Sequence, residues 1–413
     1  MSESFSEPWR LVHLATEGVS IDVLQRGQLA YFRQLGFKVT AVAAPGPSLS
    51  RAADREQVDA IAIPMAREMS PWRDAVSLFR LWRLFRRLKP DIVNAGTPKA
   101  GLLGMMAARL AGVPVRVYTQ RGLRLESCTG LKELLLTWTE RLACLCADRV
   151  ICVGASLRAA CLARRLVSAN KALVLADGSS KGVDSARFGK FRPADELCNL
   201  RHTLGLTADA PLIGFVGRMT RDKGLNELQL AFKSLRDRHP QARLLLVGDF
   251  EAGDPVEART IAALRNDDRV LITGFVADTA PYYHLMTVLA FPSYREGFPN
   301  VPLEAACAGV PAVGFAATGT IDAIQDGVTG RIVPLHDVAA MARELERYLA
   351  DAELRQRHGT AARERAIRDF TPERIWHELH TQYLELLHSK GVEIPTRVTI
   401  PSVSSRPVDQ VAA

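Results

Sequence analysis

The sequence predicts an α/β protein of two domains, each a parallel sheet with helices on both faces, held by a short linker so that they face a shared cleft. Three observations carry this. Short β-branched runs alternate with amphipathic segments, which is the βαβα rhythm of a parallel sheet. The rhythm breaks once, between Asp177 and Asp195, and then restarts. The chain has 413 residues, 47% hydrophobic and 24% charged, enough for two cores at about 150 residues per domain.

The elements follow in order. Arg10–Ala15 reads as a strand, Asp22–Leu35 as a helix ending at Gly36, and Phe37–Ala44 as a strand stopped by Pro45-Gly46-Pro47. Ala60–Ile63 is a short strand, Asp74–Leu88 a helix ending before Pro90, and Asp91–Asn94 a strand. Pro98–Ala111 is a helix closed by Gly112, Val115–Thr119 a strand, Leu131–Cys146 a long helix and Arg149–Val153 a strand. Gly, Ser and Pro then accumulate, and the domain boundary falls there. Beyond it Leu212–Val216, Arg243–Val247, Val270–Ile272, Val288–Phe291 and Ala312–Phe315 read as strands, with helices between them. Met341–Leu349, Glu353–Ile367 and Pro372–Leu387 are helical, the last capped by Thr371. The first residues, 1–8, and the tail from about Gly391 lack periodicity and are expected to be disordered. The segments are 9–183 for the first domain, 184–370 for the second, 371–390 for a final helix and 391–413 for the tail.

Composition excludes several classes. The start carries acids and no apolar core, so no signal peptide is expected, and no run of eighteen apolar residues lacks a charge, so no membrane span is expected. Seven cysteines form no CxxC pair, and the nine histidines form no HxxxH pair. With no DxD either, no metal site and no cofactor are expected. Charge is uneven: residues 1–190 hold 28 Lys+Arg against 16 Asp+Glu, a net of +12, and residues 191–413 hold 25 against 29, a net of −4. A basic first half suits an anionic partner. The basic residues are dispersed and no recognition motif is visible, so nucleic acid is not expected.

Open parallel sheets bind ligands at the carboxyl ends of their strands. Two motifs stand there in the second domain. Gly217-Arg218-Met-Thr-Arg-Asp-Lys223-Gly224 follows Leu212–Val216 and places two cations around a turn before a helix, a diphosphate grip in outline. Glu296-Gly297-Phe298-Pro-Asn300-Val301-Pro-Leu-Glu304 follows Val288–Phe291. Its helix starts near Asn300, so the N–H groups of Gly297, Phe298, Asn300 and Val301 can face a phosphate, while Glu304 can accept bonds from two vicinal hydroxyls.

These two motifs resemble those of GT-B glycosyltransferases, in particular glycosyltransferase family 4, in which Glu296 and Glu304 match the E-x7-E signature. Thr97-Pro-Lys-Ala-Gly-Leu-Leu-Gly104, Tyr118-Thr-Gln-Arg-Gly-Leu-Arg124 and Gly178-Ser-Ser-Lys-Gly-Val-Asp184 resemble the branch holding capsule and lipid-linked-oligosaccharide enzymes, so the likeness runs from about residue 10 to 390. It implies a GT-B architecture of two Rossmann-like domains, with residues 371–390 packing back on the first. It also implies metal-independent, retaining transfer of a sugar from a nucleotide-sugar donor, a UDP-sugar by family expectation. The acceptor would be a polyprenyl-diphosphate-linked saccharide for a surface polysaccharide or glycan.

In that frame Arg218 and Lys223 neutralise the leaving diphosphate, Glu296 faces the donor sugar, and Glu304 binds the ribose. The backbone at Phe275 and Val276 reads the base, although Phe275 could also simply pack. Ser20 approaches the donor phosphate or caps the first helix, and its position before Ile21 and Leu24 favours the cap. Thr97, Lys99, Arg121 and Arg124 bind the acceptor in the first domain. Where many members carry His near Arg121, this chain has Arg, and Asn94-Ala-Gly96 lacks the histidines often found before Thr97.

The helix at Leu78–Leu88 mixes aromatics with arginines; it could lie on an anionic membrane, but a buried stripe at Leu78, Leu81, Phe85 and Leu88 favours a structural helix. Leu134, Leu135 and Trp138 mark a second such helix. The sequence therefore predicts a cytoplasmic enzyme in peripheral contact with the inner face of the plasma membrane. A GT-B-type sugar-nucleotide epimerase, needing no acceptor, is the alternative.

Overall fold

A computed structural model describes residues 8–66, 70–207 and 209–392. The expected disorder of residues 1–7 and 393–413 lies outside them. Two wholly parallel sheets form. The first contains β1 (Arg10–Leu14), β2 (Lys38–Ala43), β3 (Asp59–Ala62), β4 (Ile92–Ala95), β5 (Val115–Gln120), β6 (Arg149–Cys152) and β7 (Ala172–Leu173), in the order β3-β2-β1-β4-β5-β6-β7. The second contains β8 (Leu212–Val216), β9 (Arg243–Val247), β10 (Val270–Ile272), β11 (Val288–Phe291), β12 (Ala312–Phe315) and β13 (Gly330–Val333), in the order β10-β9-β8-β11-β12-β13. Each sheet reverses its winding once, between β1 and β4 and between β8 and β11. These switch points open a crevice beyond the strand ends, because neighbouring loops leave there in opposite directions.

The helices of the first domain are α1 (Gly18–Leu24), α2 (Gln28–Gln34), α3 (Pro47–Glu56), α4 (Pro71–Leu88), α5 (Pro98–Ala111), α6 (Gly130–Cys146) and α7 (Ala155–Ala163). Then come α8 (Ser185–Phe188), α9 (Ala194–Thr203), α10 (Leu225–Ser234), α11 (Ala258–Asn266), α12 (Ala280–Tyr283), α13 (Asn300–Cys307), α14 (Thr320–Ala323), α15 (Val338–Ala350), α16 (Ala352–Asp369) and α17 (Pro372–Ser389). Central strands are buried on both faces: Leu11, Val12 and Leu14 of β1 and Leu212, Ile213 and Phe215 of β8 are almost wholly inaccessible. Cys144, Cys146, Cys152, Cys161 and Cys307 pack as small apolar residues, and all seven cysteines are free.

Several expectations need correction. The helix read over Asp22–Leu35 is two helices, α1 and α2, broken at Gly27. Gly27 takes a left-handed conformation (φ 79°), and a Cβ there would lie 2.6 Å from the Trp376 ring of α17. The buried Glu56 carboxylate accepts the N–H groups of Gly27 (3.0 Å) and Ala30 (3.1 Å), so a distant side chain starts α2. Ser20 lies inside α1, whose cap position is Glu17, so it is not the cap. Pro47 does not merely stop a strand; it opens α3 as its first residue. Thr371 holds the cap position of α17 without a side-chain cap bond. The edge strands β7 and β13, two and four residues long, are too short to be read from sequence, and helix α7 was not read although Leu157 and Cys161 are buried at helical spacing.

The chain crosses between domains twice, and the two crossings bond to each other: Val183 N–H donates to the Phe370 carbonyl at 2.8 Å. After the second crossing α17 packs on the first sheet. Tyr383 lies 5.2 Å from Phe32, and its hydroxyl accepts from Asn94 Nδ2 at 2.6 Å.

His13 of β1 is fully buried, and neither ring nitrogen has a hydrogen-bond partner. Burial, assisted by the Arg121 charge, lowers its pKa from 6.5 to about 3. The unfolded chain therefore takes up this proton first. The site's stability is complete above pH 6.5 and drains as pH falls toward 3, at about 1.4 kcal/mol per unit. We expect His13→Phe to flatten the acid limb of a stability–pH curve between those values; an unchanged slope would show that His13 is not held neutral.

Candidate active site

The second domain's site grows from its switch point. Gly224 ends the turn after β8 in a left-handed conformation (φ 72°), and a Cβ there would stand 2.0 Å from the Pro292 carbonyl after β11. Only glycine lets these two loops touch. The contact brings Lys223 Nζ to 2.5 Å from Glu296 Oε1, and Ser293 Oγ donates to the same oxygen at 2.8 Å. Both charged side chains are mostly shielded. The two motifs read separately from the sequence thus form one cluster.

Glu304 sits one turn into α13, as expected. Tyr283 Oη donates to its Oε2 at 2.7 Å, and burial pushes its carboxyl upward, partly offset by Lys181 and Tyr283. Lys181, between the domains, is lowered by burial in turn. Helix α13 starts at Asn300 without a side-chain cap, leaving its first-turn N–H groups for a ligand or water; Asn300 Oδ1 is buried without a partner. Val301 is half-buried beside them. Gly217 closes β8, its N–H bonded to the Val247 carbonyl at 2.9 Å. Arg218 points outward to Glu251 at 2.8 Å, an exposed pair of little strength. Phe298 turns its ring into the core against Phe370, so only its backbone is available to a ligand. Phe275 is 81% exposed, which removes the packing alternative, and Val276 is half-buried.

The first domain answers across the cleft from its own switch point. Thr97, at the cap position of α5, does not cap it; its hydroxyl meets the Thr16 hydroxyl at 2.7 Å and accepts the Thr16 N–H at 3.0 Å. Lys99 is paired with Asp74 at 2.8 Å. Arg121 donates to the Ser180 carbonyl (3.0 Å) and hydroxyl, and burial lowers its guanidinium to about 10. It has no carboxylate partner among the described residues. Arg124 is exposed in the short 3₁₀ turn Arg124–Ser127. The Arg121 backbone thus meets Gly297, next to Glu296, while Lys99 is held by Asp74 and Arg124 is exposed.

The domains touch at the cleft mouth. The Asp322 carboxylate accepts the Ser156 N–H (3.0 Å) and hydroxyl (2.7 Å), and Thr318 Oγ1 donates to Glu126 at 2.9 Å. Lys181 lies within the Gly178–Asp184 string but was given no role, and Tyr283, Ser293 and Thr16 were not singled out from sequence. Ser293 had a signal, the turn directly after a strand; the others join the site only through tertiary packing.

Two parallel-sheet domains with a cationic turn and paired glutamates at one switch point define a GT-B glycosyltransferase. A model described as "Glycosyl transferases group 1" matches residues 199–365, and one described as "Glycosyl transferase 4-like domain" matches residues 22–178. The chain is 36% identical over 374 residues to a Staphylococcus aureus capsular polysaccharide biosynthesis glycosyltransferase, CapM, covering 91% of this chain and 96% of that protein. It is 29% identical over 301 residues to an Escherichia coli UDP-Gal:α-D-GlcNAc-diphosphoundecaprenol α-1,3-galactosyltransferase, covering 72% and 76% respectively. Among solved structures, Anabaena HepE in complex with UDP matches with a TM-score of 0.76 at 19% identity, over 91% of this chain and all of that one. The chain belongs to the group 1 glycosyltransferases, family 4, and is an enzyme of that class.

Gly297 sets how closely the domains approach, because a Cβ there would lie 2.1 Å from the Arg121 carbonyl. Gly297→Ala should cost about 1–3 kcal/mol, read as a lower urea midpoint. An unchanged midpoint would mean that the loops do not press together.

Proposed function

We propose that this enzyme is a retaining glycosyltransferase that moves a hexosyl or N-acetylhexosaminyl group from a UDP-sugar to a polyprenyl-diphosphate-linked saccharide, in surface polysaccharide or glycan synthesis. The donor lies on residues 184–370 and the acceptor on residues 9–183. The observation that carries this reading is the Lys223–Glu296–Ser293 cluster beside Glu304 at the β8/β11 switch point. The names of the relatives support it: one acts in capsule biosynthesis, one takes UDP-Gal to a diphosphoundecaprenol-linked sugar, and one fold neighbour holds UDP.

The chemistry follows from the charges. The bond between the sugar's anomeric carbon and the diphosphate oxygen breaks, the acceptor's hydroxyl oxygen bonds to that carbon, and the hydroxyl proton passes to the leaving diphosphate, on which negative charge grows. Lys223 has three donors, so it can keep Glu296 and still reach a phosphate oxygen. Arg218 leaves a weak surface pair to join it. The loop before α13 adds N–H donors at Gly297 and Phe298, and the helix's first turn adds those of Asn300 and Val301. Charge stabilisation of this kind is the dominant expected catalytic effect. Glu296 holds the sugar's hydroxyls, Glu304 the ribose, and the backbone at Phe275 and Val276 the base. Ser20, Thr97, Lys99, Arg121 and Arg124 act from the facing domain.

The first domain also docks on the anionic inner face of the plasma membrane. In support, α6 exposes Leu131, Leu134, Leu135 and Trp138, and α4 exposes Arg80, Arg83, Arg86 and Arg87. No helix among the described residues is long and apolar enough to cross a membrane.

Lys223→Ala should lower kcat by about 10²–10³ with little change in melting temperature. A matching loss of stability would make Lys223 structural. Glu304→Gln should weaken nucleotide binding about tenfold or more, measured by calorimetry with UDP. Unchanged affinity would remove its ribose role.

A further inference from the structure

The first domain carries a groove of about 500 Å³ between α4 and α6, floored by α5. Leu102 and Met106 form the floor, Leu78 one wall, and Trp138, Leu142 and Leu145 the other. The lining is almost wholly apolar, yet Trp138 is 60% and Leu145 63% exposed. Its volume is that of a small-molecule site, roughly 300–1,000 Å³.

Two observations say what fills it. The groove begins at Asp74, which holds Lys99 at 2.8 Å, and Lys99 lies two residues beyond Thr97 at the β1/β4 switch point. One end therefore opens beside the cleft. One cation, Arg141 of α6, lines the groove, and Arg109 of α5 donates to the Leu145 carbonyl at its edge (3.5 Å). A second copy of this chain would bring like charges together. A bilayer surface alone does not enter a concave slot, whereas a flexible hydrocarbon chain does.

We propose that this groove holds the first isoprene units of a prenyl-diphosphate acceptor, with the diphosphate turned toward Lys99. The inference rests on the lipid-linked acceptor reading and adds a chain-binding site to it. The acceptor would then be selected partly by its hydrocarbon chain within the protein, not only by its presence in a membrane.

The test titrates the full chain, by tryptophan fluorescence, with farnesyl diphosphate, inorganic diphosphate and phosphatidylglycerol vesicles in separate arms. Each arm is repeated on a Leu142→Gln, Leu145→Gln double variant, whose changes fall on exposed positions. UDP binding is measured alongside. Farnesyl diphosphate should bind at least about tenfold tighter than inorganic diphosphate, and the double variant should lose about tenfold of that affinity with UDP binding unchanged. Trp138→Phe should remove most of the farnesyl-induced signal. Equal binding of the two diphosphates, or farnesyl affinity untouched by the double variant, would overturn the proposal. So would a variant that weakens vesicle binding alone, which would make the groove a membrane-docking face. Farnesyl diphosphate binding without any lipid-dependent sugar transfer would strike the acceptor reading and leave the groove standing.

Discussion

Lys223 and Glu296 stand 73 residues apart in sequence, and their contact depends on one backbone approach. Gly224 presses against the Pro292 carbonyl in a conformation that disfavours any side chain. That approach exists because β8 and β11 are neighbours at the point where the sheet reverses its winding. The loops after these strands diverge, and glycine lets them meet again over the strand ends. The other groups proposed for the donor are arranged around this contact: α13 begins just beyond it, and Glu304 follows one turn later, braced by Tyr283.

The first domain is held to the second by different means. The two crossings are stitched by the Val183–Phe370 bond, and Gly182 leaves no room for a side chain beside Pro372. Helix α17 then returns to the first sheet, placing Tyr383 on Asn94 and Trp376 against Gly27. Across the cleft mouth, Asp322–Ser156 and Thr318–Glu126 are polar and few. The crossings and α17 thus combine backbone and side-chain hydrogen bonds with ring packing, whereas the contacts across the cleft are hydrogen bonds.

The central sheet strands were legible because their apolar runs are buried on both faces, a pattern that survives without tertiary information. The E-x7-E string and the Gly217–Gly224 turn were legible because both directly follow such strands. The break at Gly27 was not, since it is enforced by Trp376 and Glu56, both distant in sequence. Lys181 and Tyr283 were missed for the same reason: nothing in their local sequence announces that they converge on Glu304. The exposed row Leu131, Leu134, Leu135 and Trp138 was partly visible as helical spacing. Spacing alone cannot say whether such a row faces a core or solvent, and here it faces solvent.

The most direct test is nucleoside-diphosphate release from a panel of UDP-, GDP- and ADP-sugars, with and without membranes carrying lipid-linked monosaccharides. The account predicts release from one UDP-sugar that requires the lipid-linked acceptor and is lost in Lys223→Ala. A new sugar-nucleotide isomer appearing without acceptor and without diphosphate release would contradict it and make the protein an epimerase.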